Sequence, residues 1–259
     1  MKNITVILPV HKLDGDYKEM LTNALSSTED FHNDVDVLIV CPKSIKKDLV
    51  NLSDKLNITI LENKGSDDFC SQVNLGIENC TTEFFTILEI DDEFKPIWLK
   101  SMNDYTKIYS DVDVFLPIVK DINDEGKFVS YTNESAWAYG FSELQGFIDN
   151  EILLEYQNYQ ISGGLYRTQK IKDNGSLKEN IKLTFGYEFL LRLTHNGVRV
   201  MTVPRVGYQH VNFREDSLFW LYKNDEKTTL SENEVKFWLD TAKKEFFFKN
   251  KRDVNYTEA

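Results

Sequence analysis

Residues 84–99 read FFTILEIDDEFKPIWL, and this stretch indicates the class of fold. The apolar run from Phe84 to Ile90 has the composition of a strand that is buried on both faces. Four carboxylates fall within five residues at its end, at positions 89, 91, 92 and 93. Pro96 follows and is typical of the first turn of a helix, so we expect a helix over 96–109. A buried strand that ends in polar residues and leads into a helix is the repeating unit of an α/β sheet.

The same alternation of strand and helix runs through the first half of the chain. Short apolar runs predict strands, and the amphipathic stretches between them predict helices. The predicted strands are 4–10, 35–41, 58–61, 84–90 and 112–119, and the predicted helices are 16–27, 44–52, 67–80 and 96–109. Five strands separated by four helices imply right-handed crossovers and a mainly parallel, helix-covered sheet.

Beyond residue 120 the sequence predicts a loop-rich and β-rich half. The polar segment 121–127 is typical of a hairpin turn before a return strand. Further predicted elements are strands over 128–131, 159–167, 198–203 and 206–210, a helix over 183–195 and a closing helix over 231–252. No repeat or linker interrupts the chain. We therefore expect one α/β domain over 1–259, with halves at 1–119 and 120–230 and a C-terminal helix at 231–259.

Composition and charge disfavour several classes of protein. The 259 residues are 41% apolar and 28% charged, which is ordinary for a globular chain. The net charge of −12 repels phosphate backbones, so a nucleic-acid acceptor or an anionic membrane surface is disfavoured. Three cysteines in a long chain predict reduced thiols. No window approaches the roughly 18 to 20 apolar residues of a membrane span, and we expect a cytoplasmic protein. The oligomeric state is not indicated.

The acidic residues after the predicted fourth strand form the main candidate site. Ligands of an open parallel sheet bind at the carboxyl ends of its strands. Carboxylates crowded there repel one another unless a cation or bound donors offset the repulsion, although a solvated turn is the alternative interpretation. Mg²⁺ or Mn²⁺ commonly binds one or two carboxylates together with substrate phosphates. The cluster therefore predicts a divalent cation and a diphosphate substrate.

A set of short motifs resembles the family 2 glycosyltransferases, which have the nucleotide-sugar-binding GT-A fold. The motifs are LPVHK at 8–12, NLGIENCTTEFF at 74–85, ILEIDDEFKPIWL at 87–99, ISGGLYR at 161–167, FGYEFLLRLTHNGVRVMTVP at 185–204 and GYQH at 207–210. They follow the order of the family and cover roughly residues 4–217. The resemblance implies transfer of a sugar from a nucleoside-diphosphate sugar to a glycan or small-molecule acceptor, with Mn²⁺ or Mg²⁺ as cofactor and with inversion.

The resemblance also implies roles for single residues. Asp91 looks like the second acid of the family's D-x-D motif, which binds the metal, and His210 looks like a histidine that completes the metal or diphosphate site. Glu188 looks like the catalytic base, with a first-turn acid favoured by the helix dipole as the alternative. The expected contacts to the nucleotide sugar are Pro9, Val10, His11, Lys64, Glu89, Asp92, Gly163 and Gly164. Arg192 is a candidate phosphate partner, although pairing with a nearby carboxylate is the more ordinary role. A candidate stacking face for the acceptor sugar consists of Trp137, Tyr139, Phe141 and Trp220.

Four features depart from the family pattern, and the first is that the usual Glu-Asp pair before the acceptor-side helix is reduced to Glu188. Glu89 stands in place of an Asp, Cys41 in place of an Asp that recognises the base, and Val73 in place of an Arg. A catalytically degenerate carbohydrate- or nucleotide-binding protein is therefore one alternative. A nucleotidyltransferase on a similar sheet is another, but it would need a glycine-rich, basic loop after the first strand, which residues 9–12 do not supply.

Overall fold

The computed structural model describes residues 3–49, 52, 56–138, 144–212, 214–224, 236 and 239–240. Within them the strands are β1 (Ile4–Pro9), β2 (Val35–Pro42), β3 (Ile58–Asn63), β4 (Phe84–Ile87), β5 (Glu93–Phe94), β6 (Val114–Ile122), β7 (Phe128–Thr132), β8 (Phe147–Ile148), β9 (Leu165–Arg167) and β10 (Val200–Val211). The helices are α1 (Tyr17–Ser26), α2 (Phe69–Asn79), α3 (Ile97–Ile108), α4 (Asn150–Glu155), α5 (Thr168–Asn174), α6 (Phe185–His195) and α7 (Leu218–Asn224).

The N-terminal half of the sheet is parallel. β1 pairs in parallel with β2 on one side and β4 on the other, and β3 extends the sheet beyond β2. Residues 5–9 of β1 are buried because helices cover both faces of the sheet. Gly76 of α2 lies directly against Ile7, since a Cβ there would stand 2.5 Å from the Cγ2 of Ile7. This close contact packs α2 directly on β1.

The C-terminal half of the sheet is mixed. The full strand order is β3-β2-β1-β4-β9-β6-β10-β5, with β7 on β6 and β8 on β10. The run predicted as a strand over 159–167 contributes only the short β9, which is antiparallel to β4 and β6 and lies between them. The two strands predicted on either side of Pro204 are one strand, β10, whose register shifts between Val203 and Val206. Because proline cannot donate to the ladder, a bulge rather than a strand end accommodates it.

The segment after β4 lies against the C-terminal half of the sheet. The strand ends at Ile87, earlier than predicted, and β5 then pairs antiparallel with Tyr208 and Gln209 of β10. The fully buried Trp98 of α3 donates its indole N–H to the carbonyl of Gly163 across 2.7 Å. Residues 88–92 are thus fixed between the ends of β4 and β10.

Other expectations concern single segments. The helix predicted over 44–52 is a single 3-10 turn at Lys46–Leu49 in the described part. The closing helix predicted over 231–252 lies outside the described residues except at 236 and 239–240. The three cysteines are buried and not disulfide-bonded, as expected. Among the described helices, none combines the length and apolar character that crossing a bilayer requires. The predicted fold class, an α/β protein with a helix-covered central sheet, is confirmed.

Candidate functional site

A pocket at the carboxyl ends of β1 and β4 contains half of the predicted donor-side residues. Its lining includes Pro9, His11, Glu89, Asp91 and His210. The lining also includes residues that were not predicted: Phe69, Gln72, Arg214, Leu218 and Phe219. The pocket measures ≈ 90 Å³, whereas sites for small molecules usually span about 300–1,000 Å³. A nucleotide sugar therefore requires one of its walls to move.

Glu89, Asp92 and His210 form a compact group of side chains with the chemistry of metal ligands. One ligand atom from each lies within 4.8 Å of the others. Asp92 is 1% exposed, and its carboxylate lies 3.0 Å from the Nδ1 of His210. The backbone N–H of Val211 also donates to Asp92, at 2.9 Å. Because Asp92 binds Nδ1, the orientation of the imidazole ring is fixed, and the role of His210 as a metal ligand remains a prediction.

Glu89 is held by two further hydrogen bonds. The hydroxyl of Ser162 donates to Glu89 Oε1 at 2.5 Å, and the backbone N–H of Glu89 donates to the hydroxyl of Tyr208 at 2.9 Å. Gly163, with φ of 78°, lies against the Tyr208 ring, where a Cβ would come within 2.5 Å. The space beside Gly164 is filled by Tyr166 in the same way. The predicted contact of the two glycines with a donor sugar remains a prediction.

Burial dominates the electrostatics of the acidic group. It raises the pKa of Glu89, and the charge of Asp92 adds to this effect. Burial and Asp92 likewise raise the pKa of Asp91. Burial opposes protonation of His210, but the surrounding carboxylates, Asp92 first, outweigh it and raise the pKa of His210. All three shifts reduce the negative charge of the group, because the buried carboxylates repel one another and protons relieve that repulsion.

Asp91 forms an ion pair that the sequence analysis did not anticipate. Its Oδ2 accepts a hydrogen bond from the Nε of Arg214 at 2.9 Å. It does not belong to the compact group of Glu89, Asp92 and His210 in the described residues, so its role as a metal ligand remains a prediction. Sequence reasoning missed Arg214, although a basic residue four positions beyond His210 was a usable signal.

Val10 and Lys64 are not part of the pocket lining. Val10 is fully buried in the core formed with β1 and α1. Lys64 is exposed in the loop after β3. Trp137 donates its indole N–H to the carbonyl of Thr202, and Trp220 does not line the pocket. The remaining two members of the predicted stacking face, Tyr139 and Phe141, lie outside the described residues.

Glu188 is buried in α6 and forms two ion pairs. Its Oε1 lies 2.9 Å from the Nε of Arg192 and 2.7 Å from the Nζ of Lys178. Arg192 also donates to the backbone carbonyls of residues 174–176 at the end of α5. Pairing of Arg192 with a carboxylate is therefore confirmed. Glu188 does not line the pocket of the acidic group, and its role as catalytic base remains a prediction.

Comparisons with known proteins agree with this architecture. Residues 5–173, more than half of the chain, match the family model described as Glycosyl transferase family 2. A search of curated proteins finds no match. The structure of S. aureus TarS 1-349 in complex with UDP-GlcNAc is similar at a TM-score of 0.71 and 17% identity, covering 99% of this chain and 69% of that one.

Two further solved structures are similar at lower scores. S. aureus TarS 1-349 matches at a TM-score of 0.64 and 19% identity over 81% of this chain, which spans only 60% of that one. The mannosyltransferase PcManGT from Pyrobaculum calidifontis, in complex with GDP-Man and Mn²⁺, matches at a TM-score of 0.59 and 12% identity over 83% of this chain and 58% of that one. At these identities the likeness shows the fold alone, and that fold is GT-A. The match of the family model over most of the sheet identifies the chain as a member of glycosyl transferase family 2.

Proposed function

We propose that the chain transfers a sugar from a nucleoside-diphosphate sugar to an acceptor hydroxyl, with inversion and with the help of a divalent cation. The observation that carries the proposal is the group formed by Glu89, Asp92 and His210, whose ligand atoms lie within 4.8 Å of one another. Two carboxylates suit Mn²⁺ or Mg²⁺ bound together with phosphate oxygens, and the imidazole favours Mn²⁺ of the two, because Mg²⁺ prefers oxygen ligands. The similar PcManGT structure contains GDP-Man and Mn²⁺, which supports this choice of ligands.

The pocket suits the leaving group of such a reaction. Negative charge grows on the diphosphate as its bond to the anomeric carbon breaks, and a cation bound at this group would neutralise part of that charge. Asp92 holds His210 in position, and Ser162 holds Glu89. Arg214 places a guanidinium beside the same pocket. His210 and Glu89 need little reorganisation when the charge develops, because hydrogen bonds within the protein already fix both side chains.

Inversion requires a base that removes the proton of the acceptor hydroxyl on the face opposite the leaving group. We propose Glu188 for this role, as the family resemblance implies. A general base has to come within hydrogen-bond reach of the hydroxyl. The ion pairs of Glu188 with Arg192 and Lys178 must then loosen when the acceptor binds.

Thermal unfolding with Mn²⁺ and nucleoside diphosphates tests the donor site. We expect Mn²⁺ together with UDP or GDP to raise the melting temperature of the wild-type protein, because a ligand that binds only the folded state stabilises it. Asp91→Ala and His210→Gln should each abolish the increase and the transfer of sugar. Asp124→Ala, in an exposed turn, is the matched control and should behave like the wild type. Full activity of Asp91→Ala would exclude the assigned role of Asp91, and the absence of any shift in the wild type would exclude a nucleotide site.

A degenerate binding protein is the second candidate, because Glu188 is engaged by two basic side chains. Hydrolysis of a panel of nucleotide sugars, followed by mass spectrometry of acceptor products, separates the two functions. Binding of a nucleotide sugar without hydrolysis or transfer of any donor in the panel would favour the degenerate protein.

A further inference from the structure

The part of the pocket wall that is able to move is the segment 214–222. Its contribution to the lining consists of Arg214, Ser217, Leu218 and Phe219. The rest of the lining comes from α2, from strand ends and from the residues that follow those strands. In the described part of the chain the segment 214–222 forms no strand pairing, and Asp216 within it has a φ of 67°, which is uncommon outside glycine. Because a nucleotide sugar does not fit into ≈ 90 Å³, we expect this segment to be displaced when a donor binds.

Phe219 joins this segment to two other elements through aromatic contacts. Its ring centroid lies 5.2 Å from that of Phe69 in α2 and 5.8 Å from that of Phe185 in α6. The centroids of Phe69 and Phe185 are 5.4 Å apart, and the planes of Phe185 and Phe219 are within 19° of parallel. Phe69 and Phe219 line the pocket, whereas Phe185 is buried and does not. Phe185 therefore contacts the wall of the pocket without lining its interior.

Phe185 is also the residue with which α6 begins. Glu188 follows within the first turn, and its N–H donates to the carbonyl of Thr184 at 3.0 Å. Among the described contacts Thr184 makes no side-chain cap, so the position of this turn depends on the packing of side chains such as Phe185. Phe185 further lines a second cavity of ≈ 380 Å³, formed by residues 157–161 and 183–187 with Leu239. One side chain thus contacts the pocket wall, a second cavity and the first turn of the helix that carries Glu188.

We propose that Phe185 is a positioning residue that couples the pocket to Glu188. The proposal rests on the proposed function. When a donor displaces the segment 214–222, Phe219 moves away from the ring of Phe185, and the first turn of α6 loses one of its packing partners. The two ion pairs of Glu188 then loosen, and its carboxylate becomes available to an acceptor hydroxyl. A filled pocket and an available carboxylate thus belong to the same conformation of the protein.

The coupling fixes the direction in which nucleotide affinity changes when the ring contact is removed. Contact between Phe185 and Phe219 stabilises the conformation whose pocket is too small for a donor, so it opposes donor binding. An aromatic contact of this kind shifts an equilibrium about fivefold. A variant without the contact should therefore bind a nucleotide more tightly even though its fold is less stable. A residue with a purely structural role would not give this combination.

Calorimetric titration of the full chain with UDP and with GDP, each in the presence of Mn²⁺, tests the direction of this change. We expect Phe185→Leu to bind about fivefold more tightly whichever of the two nucleotides the wild type binds. Phe85→Leu is the matched control, because Phe85 in β4 stacks on Tyr166 with a similar angle of 18° between the rings but does not contact the segment 214–222 among the described ring contacts. The control should lose stability without any gain in affinity.

Hydrogen exchange measured by mass spectrometry provides the second readout. In the wild type, Mn²⁺ with the bound nucleotide should raise the exchange rate of the amides of residues 185–188 at least about threefold, because the first turn of α6 loosens. In Phe185→Leu the exchange of this turn should be fast without a ligand and should not respond to the nucleotide. Phe219→Leu removes the same contact from the side of the pocket, so it repeats the exchange experiment if Phe185→Leu does not fold.

Each other result contradicts the coupling. Unchanged or weaker nucleotide affinity in Phe185→Leu, or a nucleotide that slows or does not alter exchange at 185–188 in the wild type, would overturn the inference. An equal gain in affinity in Phe85→Leu would assign the effect to a general loosening of the fold. If the wild-type protein binds neither UDP nor GDP, the proposed function fails as well. Nucleotide binding that is indifferent to Phe185 removes only the coupling and leaves the proposed function in place.

Discussion

Arg214 donates a hydrogen bond from its Nε to Asp91 Oδ2 across 2.9 Å and so joins the acidic residues after β4 to the segment after β10. Its Nη1 donates to the hydroxyl of Tyr17 at 3.1 Å, and its guanidinium stacks on the same ring. The side chains of Arg214 and Asp91 are 11% and 10% exposed. The segment that carries Arg214 also contributes Leu218 and Phe219 to the pocket. One ion pair therefore holds a wall of the pocket in place.

Replacing Arg214 by Met should destabilise the protein and increase its response to Mn²⁺. We expect the free energy of unfolding to fall by about 3 kcal/mol, because the largely buried Asp91 loses its charged partner. Saturating Mn²⁺ should restore more of this stability than it adds to the wild type, since a cation then offsets the uncompensated charge. Urea denaturation with and without Mn²⁺ measures both effects.

Arg205→Met is the control for this variant. Arg205 is exposed and donates only to the carbonyl of Pro204 among the contacts of the described residues, so its loss should change the stability by less than about 0.5 kcal/mol. A smaller response of Arg214→Met than of the wild type to Mn²⁺ would show that Arg214 does not compete with a cation at this site.

Glu188→Gln tests the predicted catalytic base. We expect sugar transfer to fall by roughly 10² or more with donor affinity unchanged, which is the effect of a lost general base. We also expect the free energy of unfolding to fall by about 2 kcal/mol, because the ion pairs with Arg192 and Lys178 are lost. Transfer assays and urea denaturation separate the two effects. Arg192→Met removes one of the ion pairs but keeps the carboxylate, so an equal loss of transfer in both variants would indicate that Glu188 acts only by positioning Arg192.

Gly163→Ala should disturb the acidic group indirectly, by displacing the ring of Tyr208. A Cβ at this residue would meet the ring of Tyr208 at 2.5 Å, and its φ of 78° is strained for alanine. We expect a loss of about 3 kcal/mol in the free energy of unfolding and weaker Mn²⁺ binding, because the hydroxyl of Tyr208 bonds to Glu89. Gly126→Ala has a similar φ of 77° in open space, and it should cost only about 1 kcal/mol. Equal losses in the two variants would rule out the contact with Tyr208 as the cause.

His11 should give the protein a pH-dependent stability. Its pKa in the folded state, about 4, is below the value of 6.5 that is usual for histidine in an unfolded chain, so the unfolded chain binds more protons between these two pH values. The stability that the neutral ring contributes is present above pH 6.5 and is lost as the pH falls toward 4. We expect the difference in unfolding free energy between the wild type and His11→Phe to fall by about 2 kcal/mol from pH 7.5 to pH 5. A difference between the two proteins that stays constant from pH 7.5 to pH 5 would show that burial does not lower the pKa of His11.

The parallel half of the fold follows from local patterns. β1, β2 and β3 are apolar runs bounded by polar residues, and their lengths were predicted to within a few residues. The helix α2 begins where its apolar stripe begins, and Asp68 caps it by accepting from the N–H of Ser71. These signals lie within one element, and a single sequence is enough to detect them.

The mixed half of the sheet depends on contacts that local patterns do not contain. β9 has only three residues, and its place between β4 and β6 depends on pairing with strands far away in the sequence. Pro204 was interpreted as a strand end, although the pairing of β10 with β6 continues past it through a bulge. The period of a strand carries no information about its neighbour, so the sequence alone did not give the sheet order.

The acidic residues of the candidate site could be predicted from the sequence, but the basic residues that pair with them could not. The run of carboxylates after β4 was visible in the sequence because the acids follow one another directly. The choice of Asp92 rather than Asp91 as the partner of His210 depends on which side chain points into the protein. The contact of Arg214 was missed because it depends on a carboxylate far away in the sequence.

The pairing of β5 with β10 also has a consequence for biosynthesis. Asp92 and His210 are 118 positions apart in the sequence. During translation the ribosome therefore synthesises Asp92 long before its partner His210. Until then the acids of a nascent chain have neither His210 nor Arg214 to balance them. A polypeptide truncated before β10 would therefore lack both basic partners of its acidic residues.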